Sequence, residues 1–324
     1  MTRRISLLAT GGTISTNAGP NGAMPVLGAE HLARDLLGGS SDVVVRARDV
    51  LRISGRDMTL KNMWDLAQAV RDEIEHGADG VVITHGTDTL EETAYALALL
   101  VESSVPVVVT GAMRGPESPG ADGAANVSAA LAVAGDVDFA RFGPVVVFQD
   151  EIHLARWATK THSTRVAAFT SPAAGPIGHV VEGRAIALLG PPADTDRLQR
   201  MAEPDKRVEL VWTVAGSDGM VVDAIADRVD GLVVAGTGAG HVAAPLAEAL
   251  MRLVDEGRPV VLASRCVDGQ VLQHTYGGLG SETQLLSAGL CSAGNLSAVK
   301  ARLRLSFGLS AGLVAQDLFP EGPR

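Results

Sequence analysis

An α/β fold in two domains is what this sequence predicts, and three observations lead to it. Short apolar, β-branched runs alternate with longer segments whose apolar residues recur at helical spacing. The alternation falters in a stretch rich in Pro, Gly and charge, then resumes. The chain has 324 residues, too many for one ordinary core and enough for two. Strand–helix alternation implies parallel strands joined by right-handed crossovers, with helices covering both faces of the sheet.

The elements follow in order. "RISLLAT" (4–10), "DVVVRARDV" (42–50), "GVVITHG" (80–86), "VPVVVTG" (105–111) and "GPVVVFQ" (143–149) read as buried strands. The segments "GAEHLARDLLG" (28–38), "MTLKNMWDLAQAVRDEIEHG" (58–77), "TLEETAYALALLVES" (89–103) and "GADGAANVSAALAVAGD" (120–136) read as the helices between them. Over 170–207 the pattern weakens, and a linker is expected at 191–208, between a first domain over 1–190 and a second over 209–324. In the second, "VELVWTV" (208–214), "DGLVVAGTGAG" (230–240) and "RPVVLAS" (258–264) are strands, with helices after "SDG", over 244–256 and from about 297. In such sheets ligands gather at the carboxyl ends of the strands, so the polar residues just beyond each strand are the first to weigh.

Composition narrows the function. Hydrophobic residues make up 46% of the chain and charged ones 20%, as in a globular protein with a large core. The net charge of -10 is interrupted by no basic stretch, which argues against a nucleic-acid or anionic-membrane partner. Cys266 and Cys291 are too few for a disulfide framework or a structural zinc site, and both read as buried small hydrophobes. The histidines form no metal-binding pattern, so neither a metal nor another cofactor is expected. No apolar run approaches a membrane span, and the N-terminus lacks a signal-peptide core, so a reduced, cytoplasmic location is expected.

Three stretches carry candidate chemistry. The first strand ends in "ATGGTIST", where Gly11 and Gly12 permit an unusual backbone and leave Thr13 beside exposed amides. Neither the Lys of a phosphate loop nor the glycine spacing of a dinucleotide loop is present, and "GTGAG" (236–240) lacks that spacing too. The third strand ends in "THGTDTLEE": Asp88 or Thr89 reads as a helix cap, with Glu91 and Glu92 in the first turn, but a cap leaves Thr87 unexplained. In "RWATKTHSTRVAAF" (156–169), Lys160 lies among hydroxyls and could act as a base where its surroundings favour the neutral amine. His85 reads as a packed strand-end residue, and His162 remains a weaker candidate base. No G-x-S-x-G nucleophile elbow occurs.

"ATGGTIS" and "ITHGTDTLEETAYAL" together resemble the two signature motifs of bacterial L-asparaginases. The resemblance continues through "VVVTGAMR" (107–114), "GADGAANV" (120–127), "ATKTHSTRVAAF" (158–169) and "GNLSAVKARLRLSFGL" (294–309), so it covers nearly the whole chain in order. It implies an amidohydrolase that converts asparagine to aspartate and ammonia, with a weak glutaminase activity as a secondary option. It also implies a larger N-terminal parallel-sheet domain and a smaller, flavodoxin-like C-terminal α/β domain. Homodimers or homotetramers with sites at subunit junctions are expected with it. By position, Thr13 matches the primary nucleophile, Thr87 and Lys160 the second threonine and its lysine base, and Asp88 the carboxylate that holds the α-ammonium. The amides at Thr87 and Ala112, with Gly12 and Gly86 beside the threonines, fall where the family binds or polarises the amide carbonyl.

Two departures stand out. The family's activating tyrosine is missing from the loop after the first motif, "TNAGPNGAMPVLG" (16–28), where Met24 or Pro25 occupies the comparable region. The loop's Gly and Pro content still suits a lid. In "ISGRDMTLKNMW" (53–64), Asp57 matches the α-carboxylate-binding stretch, but Gly55 stands where a serine is expected, with Ser54 one place off. Arg56 is then a candidate partner for that carboxylate, backbone amides the alternative. Two other readings remain: a non-catalytic amino-acid sensor, and the amidase component of a tRNA-dependent amidotransferase, which carries an added N-terminal domain. The loops "TGAGH" (237–241) and "GLGSETQ" (278–284) are candidates to reach a neighbouring subunit's site.

Overall fold

The computed structural model describes residues 2–17, 24–25, 28–30, 43–193 and 195–320, in two compact units, Met1–Arg197 and Leu198–Arg324. The helix expected over 28–38 lies mostly outside the described residues, as do residues 18–23 and 26–27 of the loop after the first motif.

The first unit is built on one eight-stranded sheet. Its parallel part holds β1 (Arg3–Gly11), β4 (Val43–Ile53), β5 (Gly80–Thr84), β6 (Val107–Thr110) and β7 (Val145–Phe148) in the order β7-β6-β5-β1-β4. A short hairpin of β2 (Thr16–Asn17) and β3 (Met24–Pro25) follows β1. The chain steps outward from β1 to β4, then returns across β1 to lay down β5, β6 and β7 on its other side. The crevice at such a reversal lies outside the carboxyl ends of β1 and β5.

The continuous apolar runs of β1, β5, β6 and β7 are buried along nearly their whole length, as covered parallel strands require. Ile5, Leu7, Val82 and Val108 pack with Ala130 and Val133 of α3 (Gly123–Ala134). α1 (Leu60–Glu75) packs on α2 (Leu90–Leu100) and on β5. The α1 stripe Met63, Leu66, Ala67 and Val70 is buried at i, i+3, i+4 and i+7, and Thr59 opens the helix with a reciprocal capping box to Asn62.

Two expectations change. β4 is not the buried strand its apolar start suggests: it is the sheet edge, and it alternates half-buried Val43, Val45 and Ala47 with exposed Val44, Arg46 and Arg48. The period-2 pattern of "VVVRAR" carries that signal. The sheet also does not stay parallel. β8 (Glu151–Leu154), β11 (Gly178–Val181) and β12 (Arg184–Ala187) extend it antiparallel beyond β7. Tight turns make this possible: Gln149–Asp150 and Glu182–Gly183 all have positive φ, the backbone that matches hairpin twist. Between them β9 (Thr159–Lys160) and β10 (Phe169–Thr170) form a separate two-stranded ribbon.

In the second unit β13 (Val208–Trp212), β14 (Gly231–Gly236), β15 (Val260–Ser264) and β16 (Cys291–Ser292) form a parallel sheet in sequence order. Its core is formed by Leu232, Val234, Val260 and Leu262 with Leu246, Leu250 and Leu253 of α5 (Ala244–Asp255); α4 (Met220–Ile225) precedes that helix. The later α6 (Glu282–Ser287), α7 (Ala298–Ser310) and α8 (Ala315–Leu318) complete the unit, α7 packing on β13 and β14. Cys291 is buried, but Cys266 is exposed: it sits in the turn after β15, where its N–H donates to Ser264 Oγ at 3.0 Å.

Candidate active site

Four strands of the parallel sheet end in glycine turns, and those turns touch. A Cβ on Gly12 would lie 2.4 Å from the Cα and N of Gly86, and one on Gly86 would lie 2.7 Å from the N of Gly55. Gly11 and Gly12 also have φ of +104° and +83°, a region side chains with a Cβ avoid. No side chain fits among these three turns, so Thr13 and Thr87, each following one of two touching glycines, come from β1 and β5 onto one platform. Gly55 is therefore more than a lost serine, because its own Cβ would press on Gly86 O at 3.0 Å. A Cβ on Gly111, at the end of β6, would lie 2.5 Å from His85 O and 3.5 Å from the Thr87 methyl.

Lys160 closes the constellation from β9. Its Nζ donates to Thr87 Oγ1 and to Asp88 Oδ1, both at 2.9 Å. The lysine side chain is 15% exposed and that of Asp88 61%, so the amine is sheltered while the carboxylate faces outward. Thr13 begins a short turn (Thr13–Ser15) and is half-buried, whereas Thr87 is buried.

Thr89, first read as a cap, has a long-range partner instead, and Glu91 has one while keeping its place in the first turn of α2. Thr89 makes no side-chain cap; its hydroxyl donates to Gly55 O at 2.6 Å and ties the β4 turn to the β5 turn. Glu91 Oε2 accepts the Lys160 backbone N–H at 3.2 Å. Contacts across such sequence separations leave no mark on local pattern, although Asp88 and Glu91 sit one helical turn apart.

The third donor region is anchored by acids and amides. Ala112 is fully buried, and Asn126 Nδ2 donates to Gly111 O at 3.0 Å, which fixes the peptide carrying the Ala112 N–H. Asp122 accepts the Met113 and Arg114 N–H groups at 3.0 and 2.9 Å.

The remaining candidates stand apart. Arg56 and Asp57 are exposed and 3.9 Å from each other, and Ser54 precedes their turn without capping it. His162 Nδ1 accepts the N–H groups of Thr164 and Arg165, so it organises its own loop. Tyr95 is buried in α2, and Tyr276 belongs to the second unit, where its ring packs edge-on against His241. Within that unit the loops 237–241 and 278–284 meet: His241 Nε2 lies 3.1 Å from Glu282 Oε2. Burial pushes the Glu282 carboxyl up, but the N–H groups of Tyr276, Thr275 and Glu282 itself, with His241, outweigh this and hold it at about 2. Among the described residues no group of side chains could hold a metal, and no helix is long and apolar enough to cross a membrane.

His85 and His153 are fully buried, and burial pushes both down to about 4, with repulsion from His179 adding to the effect at His153. A histidine whose folded value lies below its unfolded 6.5 leaves the unfolded state with more bound protons between the two. Stability is therefore expected to be flat above pH 6.5 and to fall as pH drops towards 4, by roughly 3 kcal/mol for each ring. Denaturant midpoints between pH 6.5 and 5, above the window in which Glu282 loses its contribution, read this directly. An unchanged midpoint there would contradict neutral burial.

The sequence matches the family model described as "Asparaginase, N-terminal" over residues 4–193 and the "Glutaminase/Asparaginase C-terminal domain" over 207–318. A probable L-asparaginase of Deinococcus radiodurans is 35% identical, across 97% of this chain and 95% of that protein. L-asparaginase 2 of Escherichia coli is 33% identical over 94% of this chain and 88% of its own length. A glutamyl-tRNA(Gln) amidotransferase component from Halobacterium salinarum is 34% identical over 94% of this chain and 75% of its own. The crystal structure of a probable cytoplasmic L-asparaginase from Campylobacter jejuni superposes with a TM-score of 0.87 at 29% identity, covering 98% of each chain.

Proposed function

The chain belongs to the asparaginase family, and from that premise we propose that it hydrolyses the side-chain amide of L-asparagine through an acyl-enzyme on Thr13. The observation that carries this reading is the Lys160 amine held at 2.9 Å from both Thr87 Oγ1 and Asp88 Oδ1, on the platform that also presents Thr13. Asp88, outward-facing, takes the substrate's α-ammonium, and Arg56 or the amides of the 54–57 turn take its α-carboxylate. The N–H groups of Thr87 and Ala112 polarise the amide oxygen; among the described residues neither meets a backbone acceptor. Thr13 Oγ attacks the carbonyl carbon while its proton passes through Thr87 towards Lys160. The amide C–N bond breaks, the nitrogen regains that proton and leaves as ammonia, and water then releases aspartate from Thr13.

Ammonia release from L-asparagine, L-glutamine and D-asparagine tests the proposal, with L-asparagine expected to give the highest kcat/KM. Wild-type protein that releases ammonia from none of them would be the sensor instead. The amidotransferase component of Halobacterium supplies the alternative reading, and ammonia release only in the presence of a partner enzyme and tRNA would favour it. A homodimer or homotetramer and a cytoplasmic location belong to the same proposal. The location draws on the Campylobacter neighbour described as probably cytoplasmic. A monomer on sedimentation of the active preparation would remove the shared-junction part.

A further inference from the structure

His85 sits directly behind the platform and takes no part in the chemistry above. It is fully buried at the end of β5, with its N–H donating to Thr110 O at 2.9 Å. Its Nδ1 lies 2.7 Å from Gly86 O, and its Nε2 lies 2.9 Å from Thr93 Oγ1. A carbonyl oxygen only accepts, so Nδ1 carries the proton and Nε2 receives the Thr93 hydroxyl. Both ring nitrogens are satisfied with one proton between them. Burial pushes the ring down to about 4, against a smaller opposing pull from the Gly86 bond, so it stays neutral at neutral pH.

Gly86 O belongs to the same planar peptide as the N–H of Thr87, at its opposite end. A donor fixed on the oxygen sets the plane, and therefore the direction of the N–H. It also draws charge along the amide and makes that N–H a stronger donor. The neighbouring strand repeats the construction: Asn126, 1% exposed, donates to Gly111 O at 3.0 Å, behind the Ala112 N–H. Its Oδ1 accepts the Gln149 N–H at 3.0 Å, which fixes the orientation of the side-chain amide.

We propose that His85 is a positioning residue that aims and polarises the Thr87 N–H at the substrate's amide oxygen. The proposal rests on the asparaginase reading and deepens it. Oxyanion donors act best when preorganised, and the buried ring provides that rigidity without touching substrate.

The test compares kcat and KM for asparagine in wild type, His85→Leu and His85→Asn, with His153→Leu as a control that removes an equally buried ring away from the site. His85→Leu is expected to lower kcat about 10–100-fold, with KM within about threefold. His85→Asn, whose amide nitrogen takes the place of Nδ1, is expected to restore most of kcat, and His153→Leu to leave it unchanged. Imidazole nitrogen NMR of the wild type is expected to place the proton of His85 on Nδ1 between about pH 6 and 8, a readout that needs no variant to fold. A wild type that hydrolyses asparagine while folded His85→Leu keeps its kcat overturns the positioning role alone. So does a proton on Nε2, or a folded His85→Asn no better than His85→Leu. A wild type that hydrolyses no amide overturns the enzyme reading and this inference with it.

Discussion

Thr13→Ala is expected to lower kcat for ammonia release from asparagine by about 10⁴-fold or more, with little change in substrate affinity. The size follows from removing the atom that forms the covalent bond: what remains is binding and oxyanion stabilisation acting on water. Two threonines compete for that role, and their surroundings differ physically. Thr87 is buried, with its methyl against Gly111 and its hydroxyl already accepting from Lys160 at 2.9 Å. Thr13 is half-buried on the turn that follows Gly12, where a ligand can reach it. A nucleophile must reach a substrate carbon, whereas a relay must hold its partner, and the two environments suit those separate tasks. Near wild-type turnover in Thr13→Ala, with correct folding by circular dichroism, would move the nucleophile to Thr87. The 16–28 loop contains no tyrosine, and the proposed proton route from Thr13 runs through Thr87 to Lys160, whose side chains are 2.9 Å apart.

How far the sequence alone leads can be judged from particular residues. The four glycine turns are legible because a glycine after an apolar strand is a local signal, and the threonines beside them are left without a cap role to fill. What sequence cannot supply is which turns meet. That Gly55 is needed where Gly86 passes, or that Thr89 reaches back to Gly55 O, depends on packing between strands far apart in the chain. Glu91 is hidden for the same reason, since its partner is the backbone of Lys160. β11 and β12 are masked by the Pro- and Gly-rich composition that weakens the strand pattern over 170–207 but also makes hairpins. Cys266 is exposed against expectation because an apolar neighbourhood in sequence does not guarantee that anything covers a turn.

Lys160→Met is the second large effect, an expected loss of about 10²–10⁴ in kcat, and Lys160→Arg is expected to rescue little of it. The arginine comparison separates a base from a fixed charge. In the unliganded site Lys160 Nζ is paired with Asp88 Oδ1 at 2.9 Å. In the proposed complex the α-ammonium of asparagine occupies Asp88. It takes the counter-charge away from Lys160 and sets a like charge near it. An amide without an α-ammonium leaves Asp88 without its substrate partner and is expected to react slowly. Arginine keeps the charge and the hydrogen bond to Asp88 but cannot surrender its proton. If Lys160→Arg turns over asparagine at near the wild-type rate, the residue serves only as a fixed charge and the relay through Thr87 fails. If both variants are crippled on asparagine, the proposed relay through Thr87 to Lys160 stands.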